Sequence, residues 1–316
     1  MRVLVTGGAG FIGRWVAKKF LQNQHSIYVI DNLSNGQERN LAEFRSELSE
    51  FIQGDIRDGE LVSRVFSECK LDVCVHLAAQ VNVQHSIDNS YETFDVNING
   101  TRNLLDEARK HQTAFVQVST CFVYDTAYTS RAIDESHPLN PRSPYAASKL
   151  AADFMAIGYH HTYGLPVTVI RPFNVYGPFQ RGDAEGGVVS VFIQKVLNNL
   201  SLEVYGDGTQ TRDLMYVEDC AESIFRASVS NNLHGEVFNV GTGCDITIND
   251  LAMLIAGDEG DVRHVKHIHP QSEVQKFLCN PSKAERTFKW RATIPLEAGV
   301  ERTKLWLSSL QRDGRR

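Results

Sequence analysis

With 316 residues, 42% of them hydrophobic and 22% charged, the chain is long enough to bury a sizeable core and to form two domains. A formal net charge of -6, with no long basic run, argues against nucleic acid as a partner. No signal peptide precedes the first motif and no apolar run is long enough to cross a bilayer. Cys69, Cys74, Cys121, Cys220, Cys244 and Cys279 lack metal-ligand spacing, so the expectation is free thiols, no metal and a reducing cytoplasm.

The chain opens on a short apolar run, 2–6, followed at once by Gly7-Gly8-Ala9-Gly10-Phe11-Ile12-Gly13 and a helical pattern through Trp15, Val16, Phe20 and Leu21. Strand, glycine turn and helix N-terminus in that order form the dinucleotide fingerprint. Gly7 and Gly10 let the backbone approach a pyrophosphate, and the helix that begins at Phe11 and Ile12 favours its charge. The next strand, 26–31, ends in Asp31, which lies where an acid binds the adenosine ribose and repels a 2′-phosphate. NAD rather than NADP is the expected cofactor, with Arg14 and Arg39 the nearby cations that pull the other way.

Further strands are predicted at 50–53, 73–77, 114–119 and 167–171, with helices at 60–69, 91–110 and 145–161. Such alternation implies a doubly wound parallel sheet with right-handed crossovers, an α/β Rossmann architecture. Ligands then bind at the carboxyl ends of the strands. Asn32, Asp55 and Ile56 would flank the adenosine, Leu77, Ala78 and Ala79 the diphosphate and ribose, and Thr120 the reacting carbon.

After 171–178 the alternation stops, and 1–175 and 176–316 are expected to divide into a cofactor domain and a smaller, mainly substrate-binding α/β domain. The second part holds a glycine-bearing loop at 181–187, a helix at 188–197, a strand at 202–205 and a turn at 206–208. Residues 236–243 read as a strand returning to the first domain, 262–268 as another strand, and 295–310 as a last amphipathic helix before a frayed 312–316. On the 262–268 strand only His267 and His269 would share a face, which is a poor metal set without an acid.

Tyr145 and Lys149 lie four apart on one helix face and so reach one small volume. A free tyrosine titrates near ~10, and a nearby ammonium favours its phenolate. The pair is the candidate proton shuttle. Cys121, next to Thr120, is expected to pack behind the site as a small hydrophobe.

Taken together the motifs GGAGFIG, DNLSNG, GDIRD, HLAAQ, NINGT, STCFVY, SPYAASK, RPFNVYGP and GDGTQTRDLMYVEDCA resemble, in order, those of the extended short-chain dehydrogenase/reductases, and among them the nucleotide-sugar epimerases and dehydratases. The resemblance runs from Gly7 to Trp290. It implies Tyr145 as general base, Lys149 on the nicotinamide ribose, Thr120 on the reacting sugar hydroxyl, and Asn97 and Asn99 in the helix supporting the cofactor. It implies Ser86, Asn174 and Arg212 as substrate contacts, the last two gripping the nucleotide diphosphate, and Phe277 where a bulky side chain restricts the sugar. Arg212 also suits phosphate by its guanidinium fork. The reaction implied is epimerisation at C4 of a UDP-linked sugar through a transient ketone, by a homodimer paired through the helices near Tyr91 and Tyr145. Alternatives are a 4,6- or 5,6-dehydratase on the same scaffold and a catalytically silent NAD-binding regulator.

Several positions depart from the family pattern. Asp125 stands for the usual glycine after Val-Tyr, and Cys121-Phe122 for the Asp-Glu that follows the catalytic threonine in 4,6-dehydratases. Pro270 takes the place of a second diphosphate arginine, for which His267 or His269 would substitute. An acid needed for elimination could then come only from elsewhere, with the loop 183–185 as the reservoir.

Overall fold

The computed structural model describes residues 1–128, 131–182, 187–230, 233–257, 261–267 and 270–313. Six strands rich in β-branched residues, β1 (Arg2–Thr6), β2 (Ser26–Asp31), β3 (Glu50–Gln53), β4 (Val73–His76), β5 (Ala114–Val118) and β6 (Val167–Pro172), build a central sheet. A seventh, Glu236–Val240, comes from the far end of the chain and pairs in parallel with β6. Reading across, the order is Glu236–Val240, β6, β5, β4, β1, β2, β3, and every pairing is parallel. Both faces are covered. One core gathers Val3, Val5, Phe20 and Trp290, and the other Leu4, Phe66, Leu104 and Phe115, so β1 sends alternate side chains into each.

The chain runs from β1 outward to β3, then restarts at β4 on the other side. The carboxyl ends of β1 and β4 therefore flank the topological switch point where a crevice forms. Local sequence sets the elements around it. Asp58 caps Gly59–Cys69 through the amides of Glu60 and Leu61. Ser143 caps Pro144–Tyr163 with Pro144 in the first turn, and Gly164, at φ 69°, ends that helix in the left-handed region.

The helix expected over 91–110 is broken into pieces, Ser90–Phe94, a π-helical turn Asp95–Gly100, and Thr101–His111, and a further short helix, Val83–Asp88, precedes them. The wide turn carries Asn97 into the interior while Asn99 stays exposed, bonded to Asp95 at 2.8 Å. Apolar periodicity passes through such a turn unmarked, which is why spacing alone read one helix.

Beyond residue 173 the chain builds a second core around Tyr176, Phe192, Leu251 and Leu307. Three two-stranded sheets support it, the pairs being Asn174–Tyr176 with Leu214–Tyr216, Thr211–Arg212 with Ile246–Thr247, and Leu202–Tyr205 with Val262–Val265. The strand expected over 262–268 thus ends at Val265, and His267 lies beyond it. His269, residues 183–185 and the last three residues lie outside the described residues. The final helix, Leu296–Asp313, continues through Arg312, which had been expected to fray.

Candidate active site

A cradle for a dinucleotide forms where β1 meets the helix Phe11–Gln22. Gly7 has φ 69°, and a Cβ there would lie 2.8 Å from the Ala78 amide nitrogen. One on Gly13 would lie 2.1 Å from the Gly7 carbonyl oxygen. The turn therefore closes only with glycine at both places. No side chain caps the helix at Gly10, so first-turn amides remain for an anionic ligand. A pyrophosphate fits this arrangement.

Asp31 ends β2 buried beside the turn, its Oδ2 accepting the Ala9 amide at 2.9 Å and Oδ1 the Leu33 amide at 2.8 Å. Burial lifts its carboxyl above the ordinary range, opposed by those amides. Arg14, the cation that had favoured a 2′-phosphate, is 1% exposed. It donates to Glu43 at 2.8 Å and to the Asn40 carbonyl at 2.9 Å, and stacks 3.8 Å over the Phe179 ring. Arg39 is exposed. Further along, Asn32 donates to Asp55 at 2.9 Å, and Arg57 clamps the same carboxylate, whose pKa that side-chain bond draws down to about 2. Ile56 is buried against the inner side of this loop.

At the switch point the hydrogen bonds can be assigned proton by proton. The Leu77 and Ala78 amides donate to Thr6 Oγ1 at 3.2 and 3.1 Å, and Thr6 Oγ1 lies 2.7 Å from His76 Nδ1. Thr101 Oγ1 donates to the Asn97 carbonyl at 2.7 Å and sits 2.9 Å from His76 Nε2. Thr101 has no second proton, so the histidine carries its own on Nε2 and accepts from Thr6 at Nδ1. Burial holds His76 well below its usual pKa, in keeping with that neutral ring. Asn97 then donates to Ser148 Oγ at 2.8 Å and to the Gln80 carbonyl at 3.0 Å. Ser148 in turn donates to the Tyr145 carbonyl at 2.7 Å. One buried chain of bonds joins the crevice floor at Ala78 to the helix bearing Tyr145. Ala79 follows, half-buried, on the same segment.

Thr120, Tyr145 and Lys149 converge beside it. Thr120 lies buried just past β5, close enough to the Tyr145 phenol for its side chain to favour the charged form. Lys149 Nζ donates to the Val118 carbonyl at 2.8 Å. Burial pushes the Tyr145 phenol up to about 12, against the influence of Thr120, and pulls the Lys149 ammonium down to about 8, against the Asp153 charge. Lys149 is not among the groups that move the phenol, so the expected pull of its ammonium toward neutrality is not met and desolvation sets the direction.

An aromatic wall closes the other side. Phe122 meets Tyr145 edge-on at 6.4 Å and Phe277 at 5.1 Å, and Phe277 is fully buried against Phe173 at 6.3 Å. Cys121 is buried behind this wall, its thiol pushed up to about 12 by desolvation, so it is neither nucleophile nor acid. Asp125 faces away and pairs with Arg142 at 2.9 Å.

On the substrate side, Asn174 keeps a buried Oδ1 without a partner among the described residues. Arg212 is not an open fork. It ion-pairs with Glu273, donates to the Val274 carbonyl at 2.9 Å, and lies 5.3 Å over the Phe277 ring. His267 bonds the other Glu273 oxygen at 2.6 Å. The histidine expected to replace a diphosphate arginine thus meets a carboxylate, and Glu273 joins Arg212 to His267. Ser86 is buried with its hydroxyl given to the Val83 carbonyl at 2.6 Å. Asp213, the sequence neighbour of Arg212, turns into the core and accepts from Thr242, Gly243 and Cys279. Spacing had not singled out Glu273, Ser148, Asp153 or Arg171. Of these only Asp153 left a signal, four residues past Lys149.

A crevice of this kind, with a Tyr-Lys helix face beside a buried threonine and a glycine cradle, defines an extended short-chain dehydrogenase/reductase site. The chain belongs to the nucleotide-sugar epimerase/dehydratase family: the family model described as GDP-mannose 4,6 dehydratase matches residues 4–303. A putative UDP-glucose 4-epimerase of Methanocaldococcus jannaschii is 35% identical over 98% of this chain and 99% of its own length. Among solved structures, Pal from Bacillus thuringiensis is 50% identical with a TM-score of 0.97, covering 98% of this chain and 100% of that one. The UDP-glucose 4-epimerase of Thermus thermophilus in complex with NAD is 34% identical, TM-score 0.90, with 98% and 99% covered.

Proposed function

We propose that the protein is an NAD-dependent epimerase acting at C4 of a nucleoside-diphosphate sugar, most readily a UDP-sugar. The observation that carries the reading is the composition of the pocket around Thr120. The proton-transfer pair Tyr145 and Lys149 is complete, while the two positions after the threonine hold a neutral buried thiol and a phenyl ring. The glycine cradle, Asp31 and Lys149 would hold NAD, which would supply an acceptor and then a donor for the C4 hydride and a positive ring that favours the Tyr145 phenolate. Tyr145 Oη takes the proton from the 4-hydroxyl, with Thr120 sharing that hydrogen bond and fixing the oxygen. Asn174 and Arg212 hold the diphosphate, and Arg212 exchanges Glu273 for phosphate oxygens as it does so. The ketone turns over in the pocket and Tyr145 returns the proton once the other face is presented.

Elimination of water from the same ketone needs a base for the acidified ring proton and an acid for the departing hydroxyl. Neither Cys121 nor Phe122 offers one. The wall of Phe122 and Phe277 also favours an unacetylated hexose, pentose or uronic acid over a bulkier sugar. A panel of UDP-, dTDP-, CDP- and GDP-sugars, incubated in deuterium oxide and followed by NMR, tests the reading. The expected product differs only in configuration at C4 and keeps its carbon-bound protons. Deuterium at C5 or C6, or a product lighter by one water, refutes it in favour of a dehydratase, and no turnover of any sugar favours a silent regulator. The exposed Tyr91 and Phe154 belong to the helices through which we assign a homodimer.

A further inference from the structure

The helix face that presents Tyr145 and Lys149 continues, at the same spacing, to Asp153, which is 1% exposed. Its Oδ2 accepts from Ser119 Oγ at 2.8 Å and from Arg171 Nε at 3.0 Å. Arg171, on β6 and 5% exposed, also donates to the Tyr124 hydroxyl at 2.8 Å, which donates to Asn239 Oδ1 at 2.9 Å. The other carboxylate oxygen of Asp153 is buried and has no partner among the described residues. Lys149 and Asp153 thus grip consecutive residues at the end of β5, the Val118 carbonyl and the Ser119 hydroxyl, and Thr120 is the next residue along.

Resting on the roles given above to Tyr145 and Lys149, we propose that Asp153, held by Arg171, is a positioning residue for proton transfer: it fixes the strand end that carries Thr120 and supplies the negative charge that keeps Lys149 cationic. A buried ion pair contributes little to stability over apolar groups of the same shape, so the fold alone gives slight reason for this one. What it does provide is charge. Around Lys149 stand Tyr145 and Asp153, one turn away on either side along its helix, His76 on β4, Arg171 on β6 bonded to Asp153, and Cys121 after β5 near Tyr145. Of these only Asp153 is a fully buried carboxylate. His76 is held neutral by its burial and tautomer, and Cys121 stays a thiol. Desolvation works against the ammonium, and Asp153 opposes it.

The test compares wild type with Asp153→Asn and with the double variant Asp153→Asn/Arg171→Gln. The Lys149 side-chain Cε resonance, assigned with Lys149→Arg, is titrated by NMR, and a pH profile of kcat is recorded in parallel. Removing the charge moves the Lys149 midpoint down by about one pH unit, the lower end of what an adjacent opposite charge exerts. Both limbs of the kcat profile move toward acid, since Asp153 also raises the Tyr145 phenol. In the double variant the midpoint lies between wild type and the single variant. If the single variant does not fold, a midpoint below wild type in the double supports the proposal. A Lys149 midpoint unchanged from wild type in either folded variant overturns it. Because the resonance is read without substrate, the result stands whether or not any nucleotide sugar turns over.

Discussion

The role proposed for Lys149 comes at a cost in stability. Burial draws its ammonium down to about 8, whereas in the unfolded chain it titrates near the ordinary lysine value of 10.5. Between those values the unfolded chain binds more protons than the native one, so folding stability rises with pH across that window. Activity moves the other way, because Lys149 serves the site only while charged. The expected outcome is a kcat that falls as pH rises through about 8 while the thermal midpoint of the same protein climbs. In Lys149→Met the rise in midpoint between pH 8 and 10 flattens. A kcat level from pH 7 to 10 would refute the role of the charged form. Arg14 is the contrasting case: wholly buried, already paired with Glu43 and stacked on Phe179, it offers no guanidinium to a 2′-phosphate. Asp31 therefore acts unopposed by it in favour of NAD.

At the scale of elements, the turn between β1 and its helix is the most constrained piece of the molecule. In Gly13→Ala the new methyl would sit 2.1 Å from a backbone oxygen, so the turn itself has to move. Overpacking of this kind costs about 1–3 kcal/mol. Loss of NAD binding by calorimetry, with a lowered thermal midpoint, is the expected outcome, and a variant that binds NAD as wild type does would show that the turn is loose. This turn was legible in the sequence because glycine spacing states a backbone requirement directly. β1 to β6 were legible because apolar, β-branched runs stand between turn signals. The π-turn at Asp95–Gly100 was not, since an extra residue in a helix leaves the surrounding apolar pattern readable as one helix. Nor was the Arg212–Glu273–His267 cluster. A guanidinium's partner is decided by which loops meet in space, and Thr211–Arg212 meets the segment after His267 only through tertiary pairing. Of the candidate site residues, Tyr145 and Lys149 lie on one helix whose spacing fixes direction, and Thr120 lies just past the end of β5.

At the scale of the whole molecule, the helices beside the crevice present apolar side chains to the outside. Tyr91 is 81% exposed and Phe154 59% exposed, on helices that pack against each other. Isolated exposed aromatics are ordinary, but two on adjoining helices form a patch suited to a second copy. Light scattering coupled to size exclusion is expected to give twice the chain mass of 35.4 kDa, and Phe154→Asp to give monomer. A monomeric wild type at micromolar concentration would rule the dimer out.

The strand Glu236–Val240 has a consequence for how the molecule comes into being. During synthesis β6 emerges with one side paired to β5 and the other bare until residues 236–240 have followed, after the first part of the second core. An unpaired, apolar strand edge is a template for pairing with other chains. A fragment cut after residue 175 would keep that edge open for good, because the strand that covers it lies later in the chain. The last hydrogen-bonded partner of β6 is delivered by the later part of the chain, and the nascent protein is most prone to aggregation in the interval before that strand arrives.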